Sequence, residues 1–430
     1  MRVTRHVLWR GGRAEEQVPA DYEEEPLAEN DVVNVCDITR QRILGFGGAF
    51  TDSAAYNYMR MSGAVKNRTL ETLFGADGLK YDFCRIPMAS SDFSPYMYDN
   101  AQGKGGVMTG FDINEDKKYK IPFIKDALEF TGGKIRFFAS PWSPPAFMKD
   151  NASRLHGGRL LEKYYTAWAD CFCRFIESYA EEGIDISAVT VQNEPNASQT
   201  WESCVYDAGE EAKFAAELKN AFKKRGIGAK ILVWDHNKER LAERAFAAFE
   251  KNAADGAAFH WYSGSHFDAV EILRDMYPEK WIIESEFCTS LKNPGRSYAG
   301  EILGNLRCGA NAITEWNLIL DKSGGPWHDR SGGCAAPVMF DAASGQIRKG
   351  IHYYPMYMIS HFASGGADAL RTTAYDPRLE AFACRRDDGN VAVFVMNAAD
   401  GDMPVRLRVF GRHVYSFRLE RGEVSALLLK

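Results

Sequence analysis

The sequence predicts an α/β fold: a closed (β/α)8 TIM barrel carrying a β-sandwich to which both chain termini contribute. Three observations lead there. Eight short apolar runs bounded by turn residues recur between residues 43 and 318; stretches with apolar residues three and four apart lie between them; and beyond residue 357 that period gives way to short alternating runs. Eight strand-then-helix units close a parallel barrel, whose chemistry belongs at the carboxyl ends of its strands.

Taken in order, the barrel strands are expected over residues 43–50, 82–89, 135–142, 188–194, 230–235, 257–262, 281–287 and 312–318. Helical periodicity covers 160–182, 209–224, 238–252 and 267–276. The tail supplies strand candidates at 379–385, 391–397, 405–410, 413–419 and 424–429, separated by Asp387-Asp388-Gly389, Asp400-Gly401, Gly411-Arg412 and Arg421-Gly422. The N-terminal stretch has strand-like pieces without helical period. The expected domains are therefore 1–38 as N-terminal strands of the sandwich, 39–358 as the barrel and 359–430 as the remaining sandwich strands.

Composition narrows the function classes. A barrel takes ~250 residues, so 430 residues leave room for an accessory unit. No apolar run approaches the ~20 residues that span a bilayer, which predicts no integral membrane segment. A net charge of -6 without a basic stripe argues against nucleic acid. Nine cysteines show no paired C-x-x-C spacing, so neither a zinc site nor a disulfide framework is expected. The stretch Met1 to Arg10 has no apolar core of a secretory signal, and with the odd cysteine count this predicts a reducing, cytoplasmic location. Gly45-Phe46-Gly47-Gly48 lacks the G-x-G-x-x-G spacing of a dinucleotide site, so no cofactor is expected.

Two of the predicted strands end in isolated glutamates, Val189-Thr190-Val191-Gln192-Asn193-Glu194 and Trp281-Ile282-Ile283-Glu284-Ser285-Glu286. A carboxylate at the end of an apolar strand is costly to bury without a partner or a task. Polar and aromatic residues collect at the same strand ends: Asp92, Trp142, Asn193, Asp235, His236, Trp261, Tyr262, Trp316 and Asn317. One shared site explains that better than separate packing accidents. Paired carboxylates are what glycosidic bond cleavage requires.

The run Gly45-Phe46-Gly47-Gly48-Ala49-Phe50-Thr51-Asp52, then Arg85-Ile86-Pro87-Met88-Ala89-Ser90-Ser91-Asp92-Phe93-Ser94, then Ala139-Ser140-Pro141-Trp142-Ser143-Pro144-Pro145 closely resemble glycoside hydrolase family 30, whose best-known branch is glucosylceramidase. Gln192-Asn193-Glu194-Pro195, His260-Trp261-Tyr262, Ser285-Glu286-Phe287-Cys288, Trp316-Asn317-Leu318 and Gly324-Gly325-Pro326-Trp327 continue the match. The resemblance implies a barrel joined to a sandwich built from both chain ends, and a retaining, exo-acting hydrolase of β-linked glucosides.

Carried over by position, the resemblance implies Glu194 as acid/base and Glu286 as nucleophile. It further implies Asn193 on the sugar 2-hydroxyl, Asp92 on the far hydroxyls, Trp142 and Trp316 as walls of the sugar subsite, Tyr262 beside the nucleophile and His260 on the same face. The expected partner is a small β-glycoside, an oligosaccharide or a glycolipid head group. The donor needs its pKa raised and the nucleophile its pKa lowered.

Several alternatives stay open. Residues two apart on a strand share a face, so Glu284 and Glu286 are both expected inside the barrel or both outside. Arg85 is expected to pair with one of them. Asp235 and His236 either support the site or cap the next helix. His328-Asp329-Arg330 departs from the glucosylceramidase branch and puts charge near the mouth. A β-xylosidase, β-fucosidase or β-1,6-glucanase of the same family competes with the β-glucosidase reading, as does a sugar-binding protein without catalysis.

Overall fold

The computed structural model describes residues 3–8, 14–17, 31–291, 297–328 and 333–430. Asp329 and Arg330 of the mouth segment lie outside the described residues. Eight strands close a barrel: β1 Gly45–Ala49, β2 Phe83–Met88, β3 Arg136–Pro141, β4 Ile186–Thr190, β5 Lys230–Asn237, β6 Gly256–His260, β7 Trp281–Glu286 and β8 Ala312–Asn317. All neighbours pair in parallel, and β8 returns to β1 through Ile313↔Phe46.

The barrel is plugged at its amino-terminal end. Phe83, Phe138, Ala188, Leu232, Ala258, Ile283 and Ala312, from seven successive strands, pack into one apolar layer. Above that layer the inward residues turn polar, which confines the charged groups to the carboxyl-terminal half of the lumen.

The helices form where local signals allow. Ala208–Arg225 opens with a capping box between Asp207 and Glu210 and stops at Gly226, whose φ of 69° suits a residue without Cβ. Tyr165–Glu181 presents Trp168, Phe172, Phe175, Ile176 and Tyr179 to the core; it starts later than its apolar period because a 3-10 turn at Glu162–Tyr164 precedes it. Two small sheets were not foreseen: the hairpin Ala101–Lys104/Val107–Phe111 after β2, and the strands Ile319–Asp321, Val338–Asp341 and Gln346–Lys349 after β8.

Strands from both chain ends form one nine-stranded sheet, in which Val3–Leu8 pairs with Val424–Leu429 and Val32–Ile43 lies between Ala367–Ala374 and Met403–Val409. The alternation is plain along Val391–Asn397: Val391, Val393 and Val395 enter the sheet's own apolar core, while Ala392, Phe394 and Met396 pack into the core shared with the barrel. Gln41 ties the two parts together, its Nε2 donating to the carbonyls of Leu306 (2.6 Å) and Ala310 (3.0 Å) at the end of helix Tyr298–Cys308.

Strand packing leaves no room at Gly47. A Cβ there would sit 1.9 Å from the backbone oxygen of Phe83 on the adjacent strand. Gly47→Ala therefore has to spread β1 from β2, an overpacking cost of about 1–3 kcal/mol. Differential scanning calorimetry should register it as a lowered unfolding temperature, together with lost activity, because Arg85 lies on β2.

Candidate active site

The chemistry of the lumen starts from Arg85 on β2. The side chain is fully buried and its fork is fully used: Nε donates to Ser140 Oγ (3.0 Å), Nη1 to Glu286 Oε2 (2.8 Å), and Nη2 to Asn193 Oδ1 (3.0 Å) and Asp235 Oδ2 (2.6 Å). The guanidinium also stacks 4.7 Å from the Trp142 ring, and Trp142 stacks in turn on Trp316 at 5.1 Å. Arg85 thus pairs with Glu286 and Asp235 rather than with Glu284.

Asp235 is the matching anion. It accepts from Arg85, from Thr190 Oγ1 (2.6 Å) and from Ser285 Oγ (2.5 Å), and its Oδ1 lies 3.0 Å from His260 Nε2. Burial alone would raise its pKa, but the Arg85 charge and the bonds from His260 and Ser285 hold it well below the ordinary carboxylate range. It supports the site and caps no helix.

Glu284 and Glu286 do not share a face. The β6–β7 register runs Phe259↔Glu284 and then His260↔Glu286, skipping Ser285. That bulge resets the alternation. Ser285 and Glu286 both turn inward, to Asp235 and to Arg85, while Glu284 accepts from Asn305 Nδ2 (2.9 Å) in helix Tyr298–Cys308. Burial and the neighbouring Glu301 push the Glu284 carboxyl well above its ordinary value.

The pocket itself has a volume of about 270 Å³ and is lined by Asp92, Trp142, Asn193, Glu194, Gln199, Trp201, His236, Asn237, Tyr262 and Glu286. It is slightly smaller than the ~300–1,000 Å³ common for ligand sites. Glu194 follows β4 with a φ of 48°, held by its backbone N–H on the Asp235 carbonyl (3.0 Å). Tyr262 is 41% exposed and donates to Glu286 Oε1 at 3.0 Å. A carboxylate oxygen of Glu194, a ring nitrogen of His260 and a carboxylate oxygen of Glu286 all lie within 4.8 Å of one another. Both His260 nitrogens face carboxylates, so these three side chains read as a proton-bearing cluster rather than a cation site.

Six of the eight residues singled out from sequence line this pocket: Asp92, Trp142, Asn193, Glu194, Tyr262 and Glu286. The other two stand behind it. Trp316 backs Trp142, and His260 is fully enclosed beneath the carboxylates. Sequence reading did not find Gln199 or Trp201, which come from the loop after β4, nor Asn237, the last residue of β5; a lone Trp in the polar stretch after Glu194 was the available signal. It also missed the hydroxyl braces Ser140, Thr190 and Ser285, because such residues on a strand are ordinary.

The protonation pattern departs from the expected one. Burial would raise the Glu194 carboxyl, yet His260 and then His236 bring it below its ordinary value. Burial raises Glu286, helped by the charges of Glu194 and Asp235 and opposed by His260 and Arg85. The reason for the reversal is His260. Burial would lower it, but Glu286, Asp235 and Glu194 together carry it up to about 10. Beside the pocket His328 bridges Glu202 Oε2 (3.1 Å) and the Ser94 carbonyl (3.1 Å), tying the segment after β8 to the residue that follows Trp201.

Comparison with known proteins follows the same lines. Residues 43–364 match the glycosyl hydrolase family 30 TIM-barrel domain. A Caenorhabditis elegans protein carrying a glucosylceramidase name is 33% identical over 387 residues, covering 81% of this chain and 73% of that protein. Among solved structures, SrfJ from Salmonella typhimurium superposes with a TM-score of 0.93 at 29% identity, covering 100% of both chains. An endo-β1,6-glucanase superposes at 0.86 and 26%, again over 100% of both.

A raised histidine has a sign that can be checked. The imidazolium of His260 stabilises the folded chain fully below about pH 6.5, and that contribution disappears as pH climbs towards about 10. Melting temperatures between pH 6 and pH 10 should fall more steeply for the parent protein than for His260→Gln.

Proposed function

The chain belongs to glycosyl hydrolase family 30, and from that premise we propose that it is a retaining, exo-acting β-glucosidase that works by double displacement with Glu194 and Glu286. The observation that carries this reading is the convergence of the two carboxylates, with oxygens within 4.8 Å on one pocket. Retaining enzymes hold the pair ~5–5.5 Å apart, whereas inverting ones need ~6.5–9.5 Å to admit a water.

In the first step Glu286 attacks the anomeric carbon while Glu194 protonates the departing oxygen, leaving a covalent glycosyl ester and a free alcohol. In the second, Glu194 as carboxylate takes a proton from water, whose oxygen displaces Glu286. Arg85 and the Tyr262 hydroxyl each hold one oxygen of Glu286, so its attacking lone pair keeps a fixed direction. Asn193 spends its Oδ1 on Arg85, which leaves its amide free to donate to the sugar's 2-hydroxyl. Asp92 reaches the hydroxyls at the opposite side of the ring.

The exo-acting part rests on size. A pocket of about 270 Å³ has room for one sugar ring and little beyond it. The relatives suggest the aglycone. Glucosylceramide and a 1,6-linked glucan have unlike acceptors, but each bears its glucosyl unit on a primary alcohol. We infer that this chain takes β-glucosides of primary alcohols. The structural likeness to an endo-β1,6-glucanase keeps cleavage of a 1,6-linked glucan as a second reading, with the same glycone and chemistry.

Among nitrophenyl β-glucoside, β-xyloside, β-fucoside and β-glucuronide, the glucoside should be hydrolysed fastest; preference for another sugar would refute the glycone assignment. Glu286→Gln should lose nearly all turnover while keeping its fold by circular dichroism. For Glu194→Ala the loss on an alkyl glucoside should be about 10²–10⁴-fold, as for removal of a general acid, and azide should restore turnover of a dinitrophenyl glucoside as the β-glucosyl azide. Release of glucose from gentiobiose and from glucosylceramide, compared with larger fragments from a 1,6-glucan, separates exo from endo action.

A further inference from the structure

One imidazole lies at the centre of the charge cluster without reaching the pocket. His260 on β6 is fully enclosed. Its Nε2 is 3.0 Å from Asp235 Oδ1, and its Nδ1 is 3.2 Å from Glu194 Oε1 and 4.0 Å from Glu286 Oε1. The Tyr262 and His236 rings stand 6.0 and 6.4 Å away. Glu284 acts on it only through space, and Arg85 reaches it only by way of Asp235 and Glu286. Because Asp235 is pinned by Arg85, Thr190 and Ser285, it fixes one proton on Nε2. The variable proton of the cluster belongs on the line between Nδ1 and Glu194.

With Glu194 taken as the acid/base, a premise carried over from the proposed double displacement, we propose that His260 stores the proton that Glu194 delivers, so that Nδ1 and Glu194 Oε1 work as a single acid. The proton count supports this. Arg85 and His260 charged, facing three ionised carboxylates at Asp235, Glu194 and Glu286, sum to minus one. So do Arg85 charged, His260 neutral, Glu194 protonated and the other two carboxylates ionised. The resting arrangement and the one that can protonate a leaving group differ only in which atom holds one proton. No uptake from solvent is needed between them.

Along the cycle, Nδ1 gives its proton to Glu194 Oε1, and His260 stays neutral with its Nε2 proton on Asp235. Glu194 passes a proton to the glycosidic oxygen as the bond from that oxygen to the anomeric carbon breaks. The bonding pair stays on the oxygen, which leaves as a neutral alcohol, while a Glu286 lone pair forms the ester. In the second half a water proton goes to Glu194 as the water oxygen bonds to the anomeric carbon, and the ester pair returns to Glu286. The proton then moves back to Nδ1. Esterified Glu286 carries no charge, so His260 loses one of its three anionic neighbours when Glu194 has to act as a base. Substrate drives the first transfer by displacing water from Glu194, whose side chain is 17% exposed.

Nitrogen-15 NMR of histidine-labelled free protein tests the store without any substrate. The His260 signals, identified by their absence from His260→Gln, should show both nitrogens protonated at pH 7, and Glu286→Gln should lower the pH at which Nδ1 deprotonates. A neutral imidazole at pH 7, or a titration that ignores Glu286→Gln, overturns the proposal. Kinetics separate storage from positioning, since Gln can still donate to Glu194 but cannot hold a mobile proton. His260→Gln should lose about 10²-fold more on an alkyl glucoside than on dinitrophenyl glucoside, and move the alkaline limb of kcat/KM to lower pH. Equal losses on both substrates with an unmoved limb would make His260 a brace and nothing more. Azide rescue of Glu194→Ala reads the acid/base assignment by itself, so failure of that premise is told apart from failure of the store.

Discussion

The site depends on one buried ion pair, Arg85 with Asp235. Both side chains are fully enclosed in the barrel lumen, where a lone charge would cost several kcal/mol to desolvate. Such a pair is tolerable only if every remaining donor and acceptor is met. Here Ser140, Asn193 and Glu286 complete the arginine, and Thr190, Ser285 and His260 complete the aspartate. The residues that satisfy the pair are thereby fixed in place. Asn193, Glu286 and His260 need no separate aiming, because their orientation follows from the demand that no buried polar atom of the hub go unpaired.

Backbone irregularity is what lets the hub form on regular strands. Trp234 and Asp235 take φ values of 77° and 53°, Glu194 48° and Ala89 62°, all in a region side chains rarely adopt. The β5–β6 register shifts between Trp234 and His236, and the β6–β7 register between Phe259 and His260. Without the second shift Ser285 and Glu286 would point to opposite sides, and either Asp235 or Arg85 would lose a partner. Glu194 and Asp235 are themselves members of the site, so part of the chain's backbone strain sits where the chemistry is, although Lys80, Ala152, His156, Asn252, His266 and Phe410 take the same region elsewhere.

This also explains which features could be read from residues alone. Strand identity was legible because apolar runs such as 281–287 report burial, and a glutamate ending such a run announces a site. The inward or outward choice at Glu284 was not, since the two-residue period holds only for an unbroken ladder and a bulge leaves no sign in composition. The expected acid and nucleophile pKa order followed from treating Glu194 and Glu286 as a pair. A third carboxylate and a shared histidine change the arithmetic, and their meeting depends on β4, β5, β6 and β7 converging in space. Trp201 and Gln199 escaped notice because loop residues carry no periodicity, and Asn237 because β5 runs two residues past its expected end at 235.

The division between strands and loops bears on how relatives with different substrates come to share this fold. Arg85, Asp235, His260, Glu286 and Asn193 are locked to one another, so a change at one unsettles the rest; the glycone and the reaction are therefore hard to alter piecemeal. The mouth is built otherwise. Trp201 and Glu202 follow β4 and His328 follows β8; Glu202 bonds to His328 and Ser90, and Trp201 lines the pocket. A substitution there changes what can sit beyond the sugar without disturbing the proton balance beneath it. On the proposed reading, the aglycone can thus change between alcohols of unlike shape while the acid that the departing oxygen needs stays in the interior.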